Sequence, residues 1–359
     1  MPQVPNRVAR AVGPRLAALA TLSTASLLMF GVAGVAAARL PDVTVKVDHA
    51  TLRVEGSVDA DSILLRIRPN ETGILQVLAD GRQVGNIDRD RFRAIDIRAR
   101  AGNDTVLVDE SFGVFTNLPT TIDGGDGSDV LVADIGPVQL VGGAGNDLLL
   151  GGDAADDLLG GDGNDTIDGN KAADVAFGGD GNDTFIWDPG DASDAFDGQN
   201  GFDTLVFNGS AGNEKFELSA NGDRLRFTRD LGGITMDVGT TESVVANAEG
   251  GADTVTVDDL SRTDVMNVAI DLAGTPGSAT GDTAADEVIV RGTANADAFV
   301  VTGRNGSATV AGLHATVDIR AAEFVKDRLD IDTGDGNDSV DATGLAAGLI
   351  PMFVDGFAI

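Results

Sequence analysis

The chain of 359 residues has no cysteine, no tyrosine, one tryptophan and two histidines. Without cysteine no disulfide braces the fold, and thiolate metal sites and cysteine nucleophiles are excluded. Imidazole is equally scarce, which removes the ligands that transition metals favour. His49 and His314 belong to no His-Glu-x-x-His motif, and no Gly-x-Ser-x-Gly elbow occurs, so zinc-protease and serine-esterase chemistry have no support. Aromatic residues make up only 4%, which points to thin cores in place of one thick one. Basic residues are short as well: 25 Lys and Arg stand against 57 Asp and Glu, for a net charge of −32. A polyanion repels nucleic acid and anionic membrane surfaces, and a multivalent cation is its natural counterpart. Hydrophobic residues at 42% are enough for a folded chain, so the acidity does not signal disorder.

Residues 1–38 read as an export signal. Arg7, Arg10 and Arg15 precede an uncharged run from Leu16 to Val35, and Ala36-Ala37-Ala38 offers a small-residue cleavage site. The run is also near the ~20 residues that span a bilayer, so a retained anchor stands as the alternative. Either reading places the remainder outside the cytoplasm, with no membrane contact once the signal is removed.

Everything after the leader reads as all-β. Over residues 39–118, Val43–Val47, Ile63–Ile67 and Ile95–Ile97 are short alternating runs between turn residues. Such runs return over 211–359 as Thr254–Val257, Glu287–Val290 and Phe299–Val301. Between these segments, over 119–210, the composition shifts: Thr121 to Leu205 holds 19 Asp, no Glu and one basic residue, Lys171.

This central segment is a repeat. Gly124-Gly-Asp-Gly-Ser-Asp129, Gly142-Gly-Ala-Gly-Asn-Asp147, Gly160-Gly-Asp-Gly-Asn-Asp165 and Gly178-Gly-Asp-Gly-Asn-Asp183 follow one another at 18 residues, and Gly198-Gln-Asn-Gly-Phe-Asp203 comes 20 later. Written as nine residues, with three strand residues after the Asp, the register also places an apolar residue at position eight: Leu131, Leu149, Leu158, Ile167, Ala176, Phe185, Phe196 and Leu205. A flexible acidic linker keeps no such row. Asp is short enough to hold its carboxylate against a tight turn, and Gly lets the turn aim carbonyls inward. An all-oxygen set of this kind suits calcium, a hard cation taking six to eight oxygens. Arg100-Ala-Gly-Asn-Asp104, Glu249-Gly-Gly-Ala-Asp253 and Gly334-Asp-Gly-Asn-Asp338 echo the motif and suggest that coils continue into the flanks.

The segment resembles the repeat-in-toxin (RTX) family of calcium-binding β-rolls, whose nonapeptide is Gly-Gly-x-Gly-x-Asp-x-U-x. The resemblance covers roughly a quarter of the chain. It implies a parallel β-roll in which two nonapeptides make one coil, so that turns 18 residues apart stack on one flank. It further implies Ca2+ between stacked turns, held by backbone carbonyls and position-six carboxylates. Carried onto this sequence, the first flank offers Asp129, Asp147, Asp165, Asp183 and Asp203, with Gly124, Gly127, Gly142, Gly145, Gly160, Gly163, Gly178 and Gly181. The second offers Asp156, Asp174 and Asp194. There Ala154 and Ala172 replace the fourth-position Gly and Lys171 brings a positive charge, so calcium is expected mainly on the first flank.

The expectation is a secreted, extracellular, non-enzymatic calcium-binding protein: a β-roll or β-solenoid centre between β-rich segments, acting as a structural or surface-associated scaffold. Cell-surface polysaccharide or protein is the candidate macromolecular partner, and nucleic acid is not. Two alternatives stay open: a carbohydrate- or protein-binding module, or a polysaccharide-modifying enzyme on a flanking β-helix. Trp187 is expected to pack at the irregularity after the fourth repeat and not to stack on a sugar.

Overall fold

A computed structural model describes residues 42–115 and 117–359, and the leader expected over 1–38 lies outside them. The described residues form 31 strands and one short 3-10 turn, Arg89–Arg91. None of their helices is long and apolar enough to cross a membrane. Strand formation follows from two-residue alternation, since successive side chains point to opposite faces. In Thr105–Asp109, for example, Val106 and Val108 are buried and their neighbours half-exposed.

The strands build two sheets of 16 and 15 members, closed over one continuous apolar core. In the centre the chain alternates between them, with Gln139–Ala144 and Asp157–Asp162 in one sheet and Leu148–Leu150 and Thr166–Asp168 in the other. Neighbours pair in parallel, setting Leu140 beside Leu158 and Leu149 beside Ile167. Partners are therefore 18 residues apart, and the sequence period is one coil. Every residue of the expected apolar row is buried, none above 1% exposed. A sheet pair this narrow admits about one side chain per strand, so the row at position eight is the core.

Strand pairing crosses both margins of the central segment. Ala94–Ala101 pairs in parallel with Thr120–Asp126, and Thr204–Ser210 with Ser243–Glu249. The solenoid thus runs through the flanking segments, where antiparallel hairpins lengthen the coils. One insert, Lys215–Asn221, Arg224–Arg229 and Ile234–Gly239, folds antiparallel on itself and rejoins parallel neighbours on either side. Its core is aromatic: Phe207 stacks on Trp187 at 4.1 Å and on Phe227 at 4.2 Å. Trp187 is buried, and its Nε1 donates to the Ala192 carbonyl at 2.7 Å. It packs at the irregularity, as its position implied.

Turns leading from the 16-stranded to the 15-stranded sheet form one flank, called the first; those leading back form the second.

Candidate metal centre

On the first flank each strand of the larger sheet runs into a glycine turn and emerges in the smaller sheet. The turn at 142–147 is representative. Gly143 and Gly145 have φ of 116° and 131°, far outside what a side chain tolerates. A methyl built on either would overlap the carbonyl oxygen of its counterpart one coil earlier, Gly125 or Gly127. Glycine is required because backbone stacks directly on backbone, carbonyls in file.

The position-six carboxylates stand in the same file. The amide of Asp129 donates to Asp147 Oδ1 at 2.7 Å, Asp147 to Asp165, Asp165 to Asp183 and Asp183 to Asp203, each at 2.8 Å. One oxygen of each Asp is thereby used, fixing the rotamer. The other, Oδ2 of Asp129, Asp147, Asp165, Asp183 and Asp203, is buried without a hydrogen-bond partner. Beside it lies the position-one glycine. A methyl on Gly142 would overlap both Asp147 Oδ2 and the Gly160 carbonyl oxygen, and Gly124, Gly160 and Gly178 repeat the arrangement. These glycines keep open a gap walled by a bare carboxylate oxygen and the next coil's carbonyl.

Among the described residues no three acidic or imidazole side chains converge on a point. A cation held here takes a mixed set, carboxylate plus carbonyl, all of it hard oxygen. That set fits calcium. Buried bare carboxylate oxygens do not otherwise persist cheaply: an unsatisfied buried polar atom costs about 1–3 kcal/mol.

The file is longer than the repeat. Asp61 donates to Asp104 Oδ1 at 2.6 Å and Asp104 to Asp129 Oδ1 at 2.7 Å, while at the far end Asp203 donates to Glu242 Oε2 at 2.7 Å. Asp104 also has a bare, buried Oδ2, in a turn with positive φ at Arg100 and Gly102. The motif echo at 100–104 is the signal that marks it. A second file escaped sequence reading because position five looked free. Asn164 donates its amide to Asn146 Oδ1 at 2.8 Å, Asn182 to Asn164 at 2.7 Å and Phe202 to Asn182 at 2.9 Å, so these asparagines staple coil to coil.

The second flank is built differently. Val138, Asp156 and Asp174 donate to Oδ1 of Asp156, Asp174 and Asp194, all at 2.8 Å, so a carboxylate file exists there too. Asp156 Oδ2, however, accepts from the Gly152 amide at 2.7 Å, and only Asp174 on this file has a bare, buried Oδ2. Ala154 avoids the left-handed region that Ala172 enters at φ 69°. Lys171 pairs at the surface with Asp153 at 2.7 Å. The file ends where the Asp194 amide meets Met236 Sδ. His49 and His314 have local partners elsewhere, Asp48 and the Thr263 carbonyl.

Burial lifts the pKa of the file carboxylates: Asp147 and Asp203 to about 6, Asp104 and Asp165 to about 7. Neighbouring carboxylates add to the rise, as Asp183 and Asp147 do at Asp165. An unfolded Asp titrates near ~3.9, so between there and pH ~7 the metal-free fold binds more protons than the unfolded chain. Its stability is full at acid pH and is lost as pH rises through that window. Circular dichroism of the chelated chain should therefore show more β-structure at pH 5 than at pH 8; the reverse order would contradict these burials.

Residues 123–158 and 150–185 match the profile of the RTX calcium-binding nonapeptide repeat (4 copies). No curated protein matches the chain. The matched residues hold Asp129, Asp147, Asp165 and Asp183 of the bare-oxygen file, and residues 123–185 carry RTX calcium-binding nonapeptide repeats.

Proposed function

We propose that the protein is exported and binds calcium along its first flank, where the ion completes the solenoid and makes it a rigid extracellular or surface-associated scaffold without catalytic activity. The observation that supports this reading is the file of buried, unpartnered Oδ2 atoms facing glycine carbonyls. Export supplies the trigger: a chain made in a calcium-poor cytoplasm orders on reaching a calcium-rich exterior, where such modules bind at ~10⁻⁴–10⁻³ M. The basic and apolar leader over 1–38 supports that route. Asp104 repeats the ladder bond and bare oxygen of Asp129, but Ala99 stands where Gly124 does, so the ligand set begins at Asp129.

Calorimetric calcium titration of the full chain tests the proposal. Asp147→Ala and Asp165→Ala should each remove sites and weaken the remainder by about tenfold, because each carboxylate also orders the preceding coil by accepting its ladder bond. Asp156→Ala should remove no site, since both of its oxygens already accept backbone amides, and should cost only the coil order that its ladder bond from Val138 provides. Equal losses in all three variants would refute the unequal flanks, and no calcium heat from the wild type would refute calcium binding itself.

A further inference from the structure

One turn of the second flank carries a cation supplied by the chain. Gly209-Ser-Ala-Gly-Asn-Glu214 has glycine at positions one and four and an acid at position six, as the RTX turns do. A methyl on Gly209 would overlap Glu214 Oε2 and the Ala248 carbonyl oxygen of the next coil, the same pair of walls that Gly142 keeps apart. Glu214 is 1% exposed, and its amide donates to Asp253 Oδ1 at 2.8 Å, so it stands in a file of acids. Neither of its oxygens is bare. Oε2 accepts the Ser210 amide at 2.8 Å and Oε1 the Ser210 hydroxyl at 2.9 Å. Arg229 then closes on Oε1, with Nε donating at 2.6 Å and Nη2 beside it.

Arg229 comes from the antiparallel insert over 215–239. It is itself buried, and its guanidinium lies 5.3 Å from the centroid of the Trp187 ring, so carboxylate and indole fix it together. The insert brings a second counter-ion. Arg224 donates to Asp237 Oδ1 and Asp197 Oδ2, both at 2.7 Å, and to the Phe196 carbonyl at 3.0 Å, which joins the insert to the last repeat. From Thr121 to Leu205 the chain has no arginine at all. The three strands of the insert pair with one another and bury Phe216, Leu218, Leu225, Phe227, Met236 and Val238. Three strands with an apolar face are enough for a sheet to stand by itself. A buried carboxylate that is both paired and hydrogen-bonded needs no metal.

We propose that Arg229 fills at Glu214 the place that calcium fills at the repeat turns, so that residues 209–239 form a calcium-independent unit within a calcium-dependent solenoid. The contrast rests on the calcium reading of the RTX turns. Without the ion the repeats open while this unit stays folded. Its strand Ile234–Gly239 then offers a ready edge to Ala195–Asn200, its parallel partner, and the repeats close onto that edge when calcium returns.

Hydrogen–deuterium exchange of the full chain, in excess calcium and in chelator, separates this unit from the repeats. The probe is the middle strand, Arg224–Arg229, whose strand partners all lie within the insert. In the wild type its amides should exchange in chelator within about threefold of their rate in calcium, while those of 124–187 accelerate about tenfold or more. Arg229→Met keeps an apolar contact for Trp187 but leaves Glu214 buried and unpaired, so in chelator 224–229 should exchange about tenfold or more faster than in the wild type. Adding Glu214→Gln removes the stranded charge and should restore most of the protection. Wild-type acceleration at 224–229 equal to that at 124–187 overturns the proposal. So does Arg229→Met with wild-type protection in chelator, or a double variant no better protected than the single one. If 124–187 ignore the chelator, the calcium reading of the repeats fails instead, and the variant pair still decides the role of Arg229.

Discussion

Chelating calcium from the full chain should unfold the central roll, and restoring calcium should refold it. Asp104, Asp129, Asp147, Asp165, Asp183 and Asp203 each bury one bare carboxylate oxygen. At about 1–3 kcal/mol apiece these sum to about 6–18 kcal/mol, against a typical whole-domain stability of about 5–15 kcal/mol. Without a cation the file therefore costs about as much as the whole net stability of a typical domain. Protonation offers partial relief, and only at acid pH. At pH 7.5, far-UV circular dichroism should lose a large part of its β signal in chelator and recover it with calcium. Magnesium should recover it poorly, because it demands near-octahedral geometry and dehydrates reluctantly. Superimposable spectra with and without calcium would contradict the central role given to the ion. The aromatic cluster of Trp187, Phe207, Phe216 and Phe227 has a packing energy independent of the file, so a residual β signal is expected to persist.

What could be read before any coordinates was set by periodicity. Over 124–183 the coil length is constant at 18 residues, and one coil of 20 follows, so one apolar position and one Asp position recur in register and disclose both the core and the file. Outside that stretch the same architecture hides, because hairpins are spliced into the coils. The steps from Asp61 to Asp104 and from Asp203 to Glu242 are 43 and 39 residues, and no fixed period survives them. Glu242 escapes for a second reason: it has Glu in place of Asp, and the turn before it keeps one glycine, Gly239, in place of the Gly-Gly-x-Gly run. The asparagine staple was invisible for a different cause. A side chain that only accepts from the next coil's amide can be Asn at 146, 164 and 182 while a donor-only partner such as Phe202 follows, so position five looks unconstrained. The echoes at 100–104, 249–253 and 334–338 were legible as continuing coils, but not the flank each would join. That depends on which sheet the preceding strand enters: Ala94–Ala101 and Arg328–Asp332 lie in the larger sheet, Ser243–Glu249 in the smaller.

Gly143→Ala should be among the most damaging single substitutions in the roll, although it adds one methyl. Two penalties coincide. The φ of 116° lies in a region open almost solely to glycine, which costs about 1–3 kcal/mol for any other residue. The methyl would also overlap the Gly125 carbonyl, and that carbonyl cannot retreat, because Gly125 is itself stacked against the Arg100 carbonyl of the coil before. Forced overpacking adds about 1–3 kcal/mol. A loss of about 2–6 kcal/mol follows from the two together. Because the strained turn also carries the adjacent position-one carbonyl that faces the neighbouring Oδ2, calcium affinity should fall along with stability. The control is Ala154→Gly on the second flank, where alanine already holds the fourth position outside the left-handed region. It should shift stability by less than about 1 kcal/mol, the ordinary cost of added backbone freedom. Urea unfolding at saturating calcium measures both. If Gly143→Ala unfolds at the wild-type midpoint, backbone-on-backbone stacking does not govern the first flank, and the carbonyl file is not what shapes the calcium sites.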